Sequence, residues 1–138
     1  MHFWGVTAQN EPRGNTGNFQ DLVFTAQTQA DFIRKYLGPV LRDYNPNLKI
    51  MTFDDQRAFL PDWAETVFGA EGAPDYIDGV AVHWYTSEED SKVKIFHPFT
   101  KMRETHDKFP EKFILATEAC TGYLKEEGSP IIGGMQRG

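Results

Sequence analysis

Two glutamates have the surroundings expected of a catalytic carboxylate pair. Glu11 lies between Asn10 and Pro12, just after a short apolar segment, and Glu118 follows a second apolar segment much later in the chain. Two carboxyl groups that flank one bond can hydrolyse a glycoside, because one protonates the leaving oxygen while the other attacks the anomeric carbon or activates water. We therefore take Glu11 and Glu118 as the candidate catalytic pair.

Four further residues are candidates for binding a sugar. Asn10 offers an amide to a sugar hydroxyl, and His83 and Tyr85 offer hydrogen-bonding groups. Tyr85 is also suited to donate to a carboxylate and so to favour its charged form. Trp84 offers a flat ring on which a sugar can stack, although a core aromatic is an equally good interpretation of this residue.

Three residues are candidates for supporting roles. Asp54 and Arg57 follow the second predicted strand, and Arg57 can donate to a carboxylate. Cys120 lies beside Glu118 and is expected to be a small buried residue, because no suitable base accompanies it to make a thiol nucleophile. A single polar residue at a strand end is more often a helix cap or a turn residue. The hypothesis therefore rests on the whole set.

These side chains are positioned by an alternation of strands and helices. Apolar segments predict strands over residues 3–7, 48–53, 76–82 and 112–117. Helical spacing predicts helices over residues 26–44, 60–68 and 99–108, with a kink or break at Pro39 in the first of them. Such an order predicts an α/β fold with parallel strands. Because the carboxyl ends of parallel strands meet at one edge, the residues that follow the strands are expected to lie together.

Composition excludes several classes of function. The chain of 138 residues has a net charge of −6 and no basic run, so no nucleic-acid partner is expected. Its single cysteine and four histidines lack the spacing of a zinc site, so neither a metal nor another cofactor is expected. No segment approaches the ~20 apolar residues of a transmembrane segment, and the first residues lack the pattern of a signal peptide.

Four motifs resemble, in the same order, those of the glucosylceramidases, the acid β-glucosidases of glycoside hydrolase family 30. They are residues 3–12, which include Asn10 and Glu11, and residues 53–57, 79–85 and 116–120. The helical residues 31–33 and 37–39 are also similar. Many related barrels share an Asn-Glu-Pro motif, so the resemblance rests on the four motifs together, and it extends to about residue 123.

The resemblance implies a fold, a reaction and roles for individual residues. The fold would be about four βα units of a (β/α)8 TIM barrel. Glu11 would be the general acid/base on the fourth barrel strand and Glu118 the nucleophile on the seventh. Asn10 would contact the sugar, and His83 and Tyr85 would surround the site. The reaction would be hydrolysis of glucosylceramide to glucose and ceramide in sphingolipid catabolism.

The resemblance also implies partners, a location and missing parts. An activator protein and an anionic lipid surface would assist the enzyme, and the location would be lysosomal or secretory. Residues 1–138 would be a partial catalytic domain, without the first three strands, the last strand and a β-rich accessory domain. Two alternatives stay open: a related barrel glycosidase that prefers another sugar, and a truncated fragment that only binds a glycan or a partner.

Overall fold

The computed structural model describes residues 3–14, 20–83 and 99–118, which form one parallel sheet with helices on one face. The sheet order is β1-β2-β3-β4, and each neighbouring pair is parallel. The strands are β1 (Gly5–Thr7), β2 (Lys49–Gln56), β3 (Gly79–His83) and β4 (Phe113–Glu118). This arrangement confirms the predicted alternation of strands and helices around a parallel sheet.

The first crossover is helical from residue 26 to residue 44, as the sequence predicts. It consists of α1 (Ala26–Phe32), a π-helical turn (Ile33–Leu37) and α2 (Gly38–Tyr44). The π-helical turn ends two residues before Pro39, whose missing N–H interrupts the regular bonding of an α-helix. The predicted kink or break at the proline is therefore a change in helical winding.

Two shorter helices complete the layer. A 3-10 turn (Arg57–Phe59) leads into α3 (Asp62–Gly69), and α4 (Thr100–Lys108) precedes the last strand. The cis peptide bond Leu60-Pro61 joins the turn to α3. The predicted third strand was too long, because residues 73–77 form turns closed by the bonds from Tyr76 N to Ala73 O and from Ile77 N to Pro74 O.

The core lies between the sheet and the helices. It is a single cluster of buried apolar side chains from both layers, namely Ala30, Ile33, Ile50, Phe53, Leu60, Trp63, Ala64, Val67, Ala73, Ile77, Val80 and Val82. Gln29 of α1 lies at its centre, where its Oε1 accepts hydrogen bonds from Thr52 Oγ1 (2.6 Å), Phe53 N (3.0 Å) and Trp63 Nε1 (2.9 Å). One side chain thus joins α1 to β2 and α3.

The opposite face of the sheet is apolar near the amino ends of the strands. Gly79 lacks a side chain, and the Phe113 ring lies so close that a Cβ at Gly79 would come 2.5 Å from it. The same ring contacts Trp4, with 5.5 Å between centroids, although β1 and β4 are not neighbours. At the carboxyl ends the face becomes polar, and there the candidate site lies.

Candidate active site

The imidazole of His83, at the end of β3, is surrounded by three carboxylates. Its Nδ1 lies 3.2 Å from Glu11 Oε1, and its Nε2 lies 3.2 Å from Asp54 Oδ1 and 3.6 Å from Glu118 Oε2. The His83 side chain is fully buried and that of Asp54 nearly so, whereas Glu11 is 20% and Glu118 is 36% exposed. A ligand at this edge of the sheet would therefore meet the two glutamates first.

Asp54 accepts hydrogen bonds from three strands. Thr7 Oγ1 of β1 donates to Oδ2 (2.6 Å), and Thr117 Oγ1 of β4 donates to Oδ1 (2.5 Å). The third contact is that of His83 Nε2 of β3 with Oδ1. Asp54 therefore fixes the ends of β1, β3 and β4 relative to β2.

Two β-bulges bring this cluster together. The register pairs Phe53 with Ala81 and Asp55 with Val82, which leaves Asp54 as the extra residue of β2. Between β3 and β4, Val82 pairs with Ala116 and His83 with Glu118, which leaves Thr117 as the extra residue of β4. Bulges redirect side chains near active sites. Here the two extra residues, Asp54 and Thr117, are hydrogen-bonded to each other.

The backbone at the site adopts conformations that L-residues rarely occupy. Phe53 has φ 76°, Asp54 has φ 65° and Glu11 has φ 44°. The Glu11 N–H donates to the Asp54 carbonyl oxygen (2.9 Å), so two of the three residues support each other. Such conformations cost about 1–3 kcal/mol each and are concentrated at functional sites. At Phe53 the unusual backbone lets the ring pack on Trp63 in the core, beside Thr52.

The hydrogen bonds outweigh burial in setting the charges of Asp54 and His83. Burial alone would raise the pKa of Asp54, but the bonds from His83, Thr117 and Thr7 hold this pKa below its usual value. Burial would lower the pKa of His83, but the hydrogen bond and negative charge of Asp54, with Glu118 and Glu11, raise it above its usual value. The two residues thus favour an imidazolium beside a carboxylate.

The other predicted residues are placed differently. Asn10 is exposed beside Glu11, and its side-chain amide makes no hydrogen bond within the described part of the chain. The described contact of Arg57 is with the Phe99 ring, 5.5 Å from its centroid, and its predicted bond to a carboxylate stays a prediction. Trp84, Tyr85 and Cys120 lie outside the described residues.

Three residues of the cluster were not predicted from the sequence. Thr7 and Thr117 hold Asp54, and Gln56 Nε2 donates to Glu11 Oε1 over 3.4 Å. Gln56 and Thr117 adjoin the predicted residues Arg57 and Glu118, which was the available signal, whereas Thr7 is the last residue of β1, three positions before Asn10. Within residues 3–14, 20–83 and 99–118, no group of three or more histidines, cysteines or carboxylates is arranged to hold a metal ion.

The whole chain, residues 1–138, matches the family model described as the glycosyl hydrolase family 30 TIM-barrel domain. The chain belongs to glycoside hydrolase family 30. The parallel sheet is accordingly part of a (β/α)8 barrel, and both the predicted family and the predicted fold class are confirmed. That residues 1–138 lack particular strands and an accessory domain stays a prediction.

Three known proteins resemble this chain over most of its length. The lysosomal acid glucosylceramidase of Mus musculus is 41% identical over 142 aligned residues, which cover 100% of this chain and 26% of the relative. The crystal structure of SrfJ from Salmonella typhimurium matches with a TM-score of 0.76 and 26% identity, covering 94% of this chain and 27% of SrfJ. The endo-beta1,6-glucanase BT3312 matches with a TM-score of 0.73 and 26% identity, covering 89% of this chain and 26% of BT3312.

The chain spans about a quarter of the length of the curated relatives it matches, with values of 24% and 26% for the first two. This chain therefore corresponds to one part of those longer proteins. None of the helices in the described ranges combines the length and apolar character needed to cross a bilayer.

Proposed function

We propose that this chain carries both catalytic carboxylates of a retaining β-glycosidase, with Glu118 as nucleophile and Glu11 as general acid/base. The observation that carries the proposal is the contact of Glu11 and Glu118 with the two nitrogens of one imidazole, that of His83. The two carboxylates therefore face one site, as the reaction requires, because one carboxylate must act on the carbon whose leaving oxygen the other protonates. The retaining mechanism is proposed from the resemblance to glucosylceramidases that the four sequence motifs carry.

In the first step, a Glu118 carboxylate oxygen attacks the anomeric carbon of the bound sugar. The bond from this carbon to the glycosidic oxygen breaks, and Glu11 gives its proton to that oxygen, which leaves as an alcohol. A glycosyl ester forms on Glu118. In the second step, Glu11 takes a proton from a water molecule, whose oxygen attacks the anomeric carbon, releasing the sugar and the Glu118 carboxylate.

We further propose that the sugar is glucose in β-linkage to ceramide. This part of the proposal is supported by 41% identity to a protein named lysosomal acid glucosylceramidase. A lysosomal or secretory location, an activator protein and an anionic lipid surface belong to the same proposal. The exposed amide of Asn10 beside Glu11 is the described group best placed to bond a sugar hydroxyl.

A second candidate is a related glycosidase that acts on a different sugar linkage. The structural likeness to an endo-beta1,6-glucanase, at 26% identity, favours this alternative because that protein is named for a glucan linkage and not for a lipid. Comparing hydrolysis of glucosylceramide in anionic vesicles with hydrolysis of a β1,6-linked glucan separates the two. Activity on the glucan alone would overturn the lipid substrate and retain the glycosidase.

The test of the catalytic pair is covalent trapping with a cyclitol epoxide, which esterifies glycosidase nucleophiles. The native protein, with any sequence that flanks residues 1–138, is treated with the epoxide and its intact mass is measured. Peptide mapping then locates any adduct. We expect one adduct on Glu118. Glu118→Gln should lack the adduct, because a neutral amide is a poor nucleophile.

The matched control is Glu111→Gln, which removes an exposed glutamate from the segment before β4 and should be labelled like the unaltered protein. An adduct on another residue would overturn the assigned nucleophile. No adduct, together with no turnover of either substrate, would favour the alternative of a fragment that binds without catalysis.

A further inference from the structure

Asp54 differs from the two glutamates in exposure and in bonding. Its side chain is 8% exposed, and each of its oxygens accepts a hydrogen bond from a threonine hydroxyl, Thr7 at Oδ2 and Thr117 at Oδ1. Thr117 Oγ1 also lies 3.4 Å from Val82 O, but its contact with Asp54 is much shorter. Because each hydroxyl has one hydrogen, the shorter contacts show both threonines donating to Asp54. The carboxylate is therefore held as an acceptor, at a position that a substrate does not reach.

This arrangement determines which nitrogen of His83 carries a hydrogen. Nε2 faces Asp54 Oδ1 at 3.2 Å, and an acceptor at that place requires N–H on Nε2. Nδ1 then remains for Glu11, whose Oε1 lies 3.2 Å away. A proton between these two atoms has two positions, either on Glu11 beside a neutral imidazole or on Nδ1 beside the Glu11 carboxylate.

We propose that Asp54 is a positioning residue that, held by Thr7 and Thr117, directs Nε2–H of His83 towards itself so that Nδ1 shares the general-acid proton with Glu11. This inference rests on the proposed function and deepens it. Asp54 does not touch the substrate and acts through His83. An aspartate orients the histidine of hydrolytic triads by the same tautomer logic.

The proton balance of the reaction follows from this arrangement. Before the first step, Glu11 and His83 together hold one exchangeable proton in addition to Nε2–H. That proton passes from Glu11 to the glycosidic oxygen as the bond to the anomeric carbon breaks, and any proton on Nδ1 returns to Glu11. Water restores the proton in the second step, and Asp54 keeps its negative charge throughout.

Electrostatics support the proposal. The described titratable groups that face His83 are Glu11 after β1, Asp54 on β2 and Glu118 on β4, all of them carboxylates. Burial would lower the pKa of His83, and these groups, Asp54 first, raise it. A buried charge is costly without partners, and Asp54 has three hydrogen-bonding groups that favour its charge.

The variant that tests the role is Asp54→Asn in the native protein. Asparagine has the same shape and tolerates the left-handed backbone at φ 65°, so the fold should survive. We compare kcat/KM for two aryl β-glucosides, one with a leaving group that needs protonation and one with a dinitrophenolate that does not. We expect about a 10-fold or greater loss for the first and a much smaller loss for the second.

The pH dependence provides a readout that a merely structural role would not move. Without the Asp54 charge, His83 should lose its proton at lower pH, so the basic limb of kcat/KM should move towards lower pH. Thr117→Val removes one donor to Asp54 but keeps the Asp54 charge, so it should move the limb much less than Asp54→Asn does. Asp43→Asn, which removes an exposed charge from α2, is the control. It should leave kcat/KM for both substrates and the position of the basic limb unchanged.

A second measurement does not require turnover. Nitrogen NMR of the histidine side chains should show His83 with N–H on Nε2 and a titration that moves to lower pH in Asp54→Asn. Equal losses on both glucosides with an unmoved basic limb, or N–H on Nδ1 alone, would overturn the inference and leave the glycosidase standing. Absence of turnover in the unaltered protein, with the expected NMR result, would overturn the proposed function and retain the Asp54–His83 contact.

Discussion

The charges of Asp54 and His83 depend on each other at the scale of single residues. Asp54 favours the protonated imidazole, and the imidazole with the two threonine hydroxyls favours the ionised Asp54. The pKa of Asp54 is displaced downwards from 3.8 and that of His83 upwards from 6.5. Each displacement is also a contribution to stability, because the unfolded chain lacks these contacts.

The pair should therefore stabilise the protein most in mildly acidic solution. The Asp54 contribution is present above its unfolded pKa and is lost as pH falls through its lowered folded pKa. The His83 contribution is complete below its unfolded pKa and is lost as pH rises through its raised folded pKa. Both contributions to stability are therefore present together between pH 3.8 and pH 6.5.

Denaturant unfolding of the native protein and of Asp54→Asn, measured from about pH 3 to about pH 9, tests this expectation. The difference in unfolding free energy should be largest within that window and should shrink on both sides. A difference that is constant with pH would show that Asp54 contributes through packing alone. Exposed Asp43→Asn serves again as the control for charge.

Some of these residues were predictable because their chemistry is visible in the sequence. Glu11, Asp54, His83 and Glu118 are polar residues at the ends of apolar segments, and the structure brings all four together. Thr117 was not predictable, because strict alternation from Glu118 would place it on the other face. Only the bulge lets both residues approach the same site.

At the scale of elements, Gln29 connects a helix to the sheet and to a second helix. Its Oε1 accepts three buried hydrogen bonds, while its Nε2 has no partner within the described residues. The orientation of the amide is determined by the backbone N–H of Phe53 and the indole N–H of Trp63, which can only donate. The connection of α1 to β2 and α3 through this side chain thus depends on the Oε1 atom of Gln29.

Gln29→Ala should destabilise the protein strongly. It would leave Thr52, Phe53 and Trp63 without their acceptor in the buried core, and each such loss costs about 1–3 kcal/mol. We expect the free energy of unfolding to fall by about 3 kcal/mol or more. Chemical denaturation measures the change, with exposed Gln27→Ala on the same helix as the control. Equal effects of the two substitutions would contradict the assigned role.

The helices were more predictable than the ends of the strands. The predicted bounds 26–44 agree with the structure, where Thr25 is the N-cap and Asn45 the C-cap, because the signals for a helix and its ends are local. The second strand extends to Gln56 and not to residue 53, because the bulge at Asp54 allows pairing with β3 to resume at Asp55. A bulge depends on the neighbouring strand and leaves no periodic signal in its own.

At the scale of the whole molecule, the sheet has one covered face and one partly open face. The helices bury the core cluster, whereas Leu115 on β4 remains 39% exposed and Trp4, before β1, 59% exposed. Within the described residues, β1 and β4 each pair on one side only. Open edges and exposed apolar groups favour association between chains.

Residues 1–138 produced alone should consequently self-associate. Sedimentation velocity should show species larger than a monomer, and Leu115→Lys should reduce them by placing a charge on the open face. Val40→Lys is the matched control, because Val40 is exposed on α2, away from the sheet. A monomer that melts in one cooperative transition would refute the expectation.

The contact between the two bulged residues has a consequence for how such a site can be built. A regular strand repeats every two residues, so one face receives only every second side chain. Asp54 and Thr117 are each one residue out of phase with their partner strands, and they meet because both strands are shifted together. Point substitutions cannot create this geometry on a regular barrel. A designer who transfers the site to another scaffold must insert one extra residue into each of two strands at the same time.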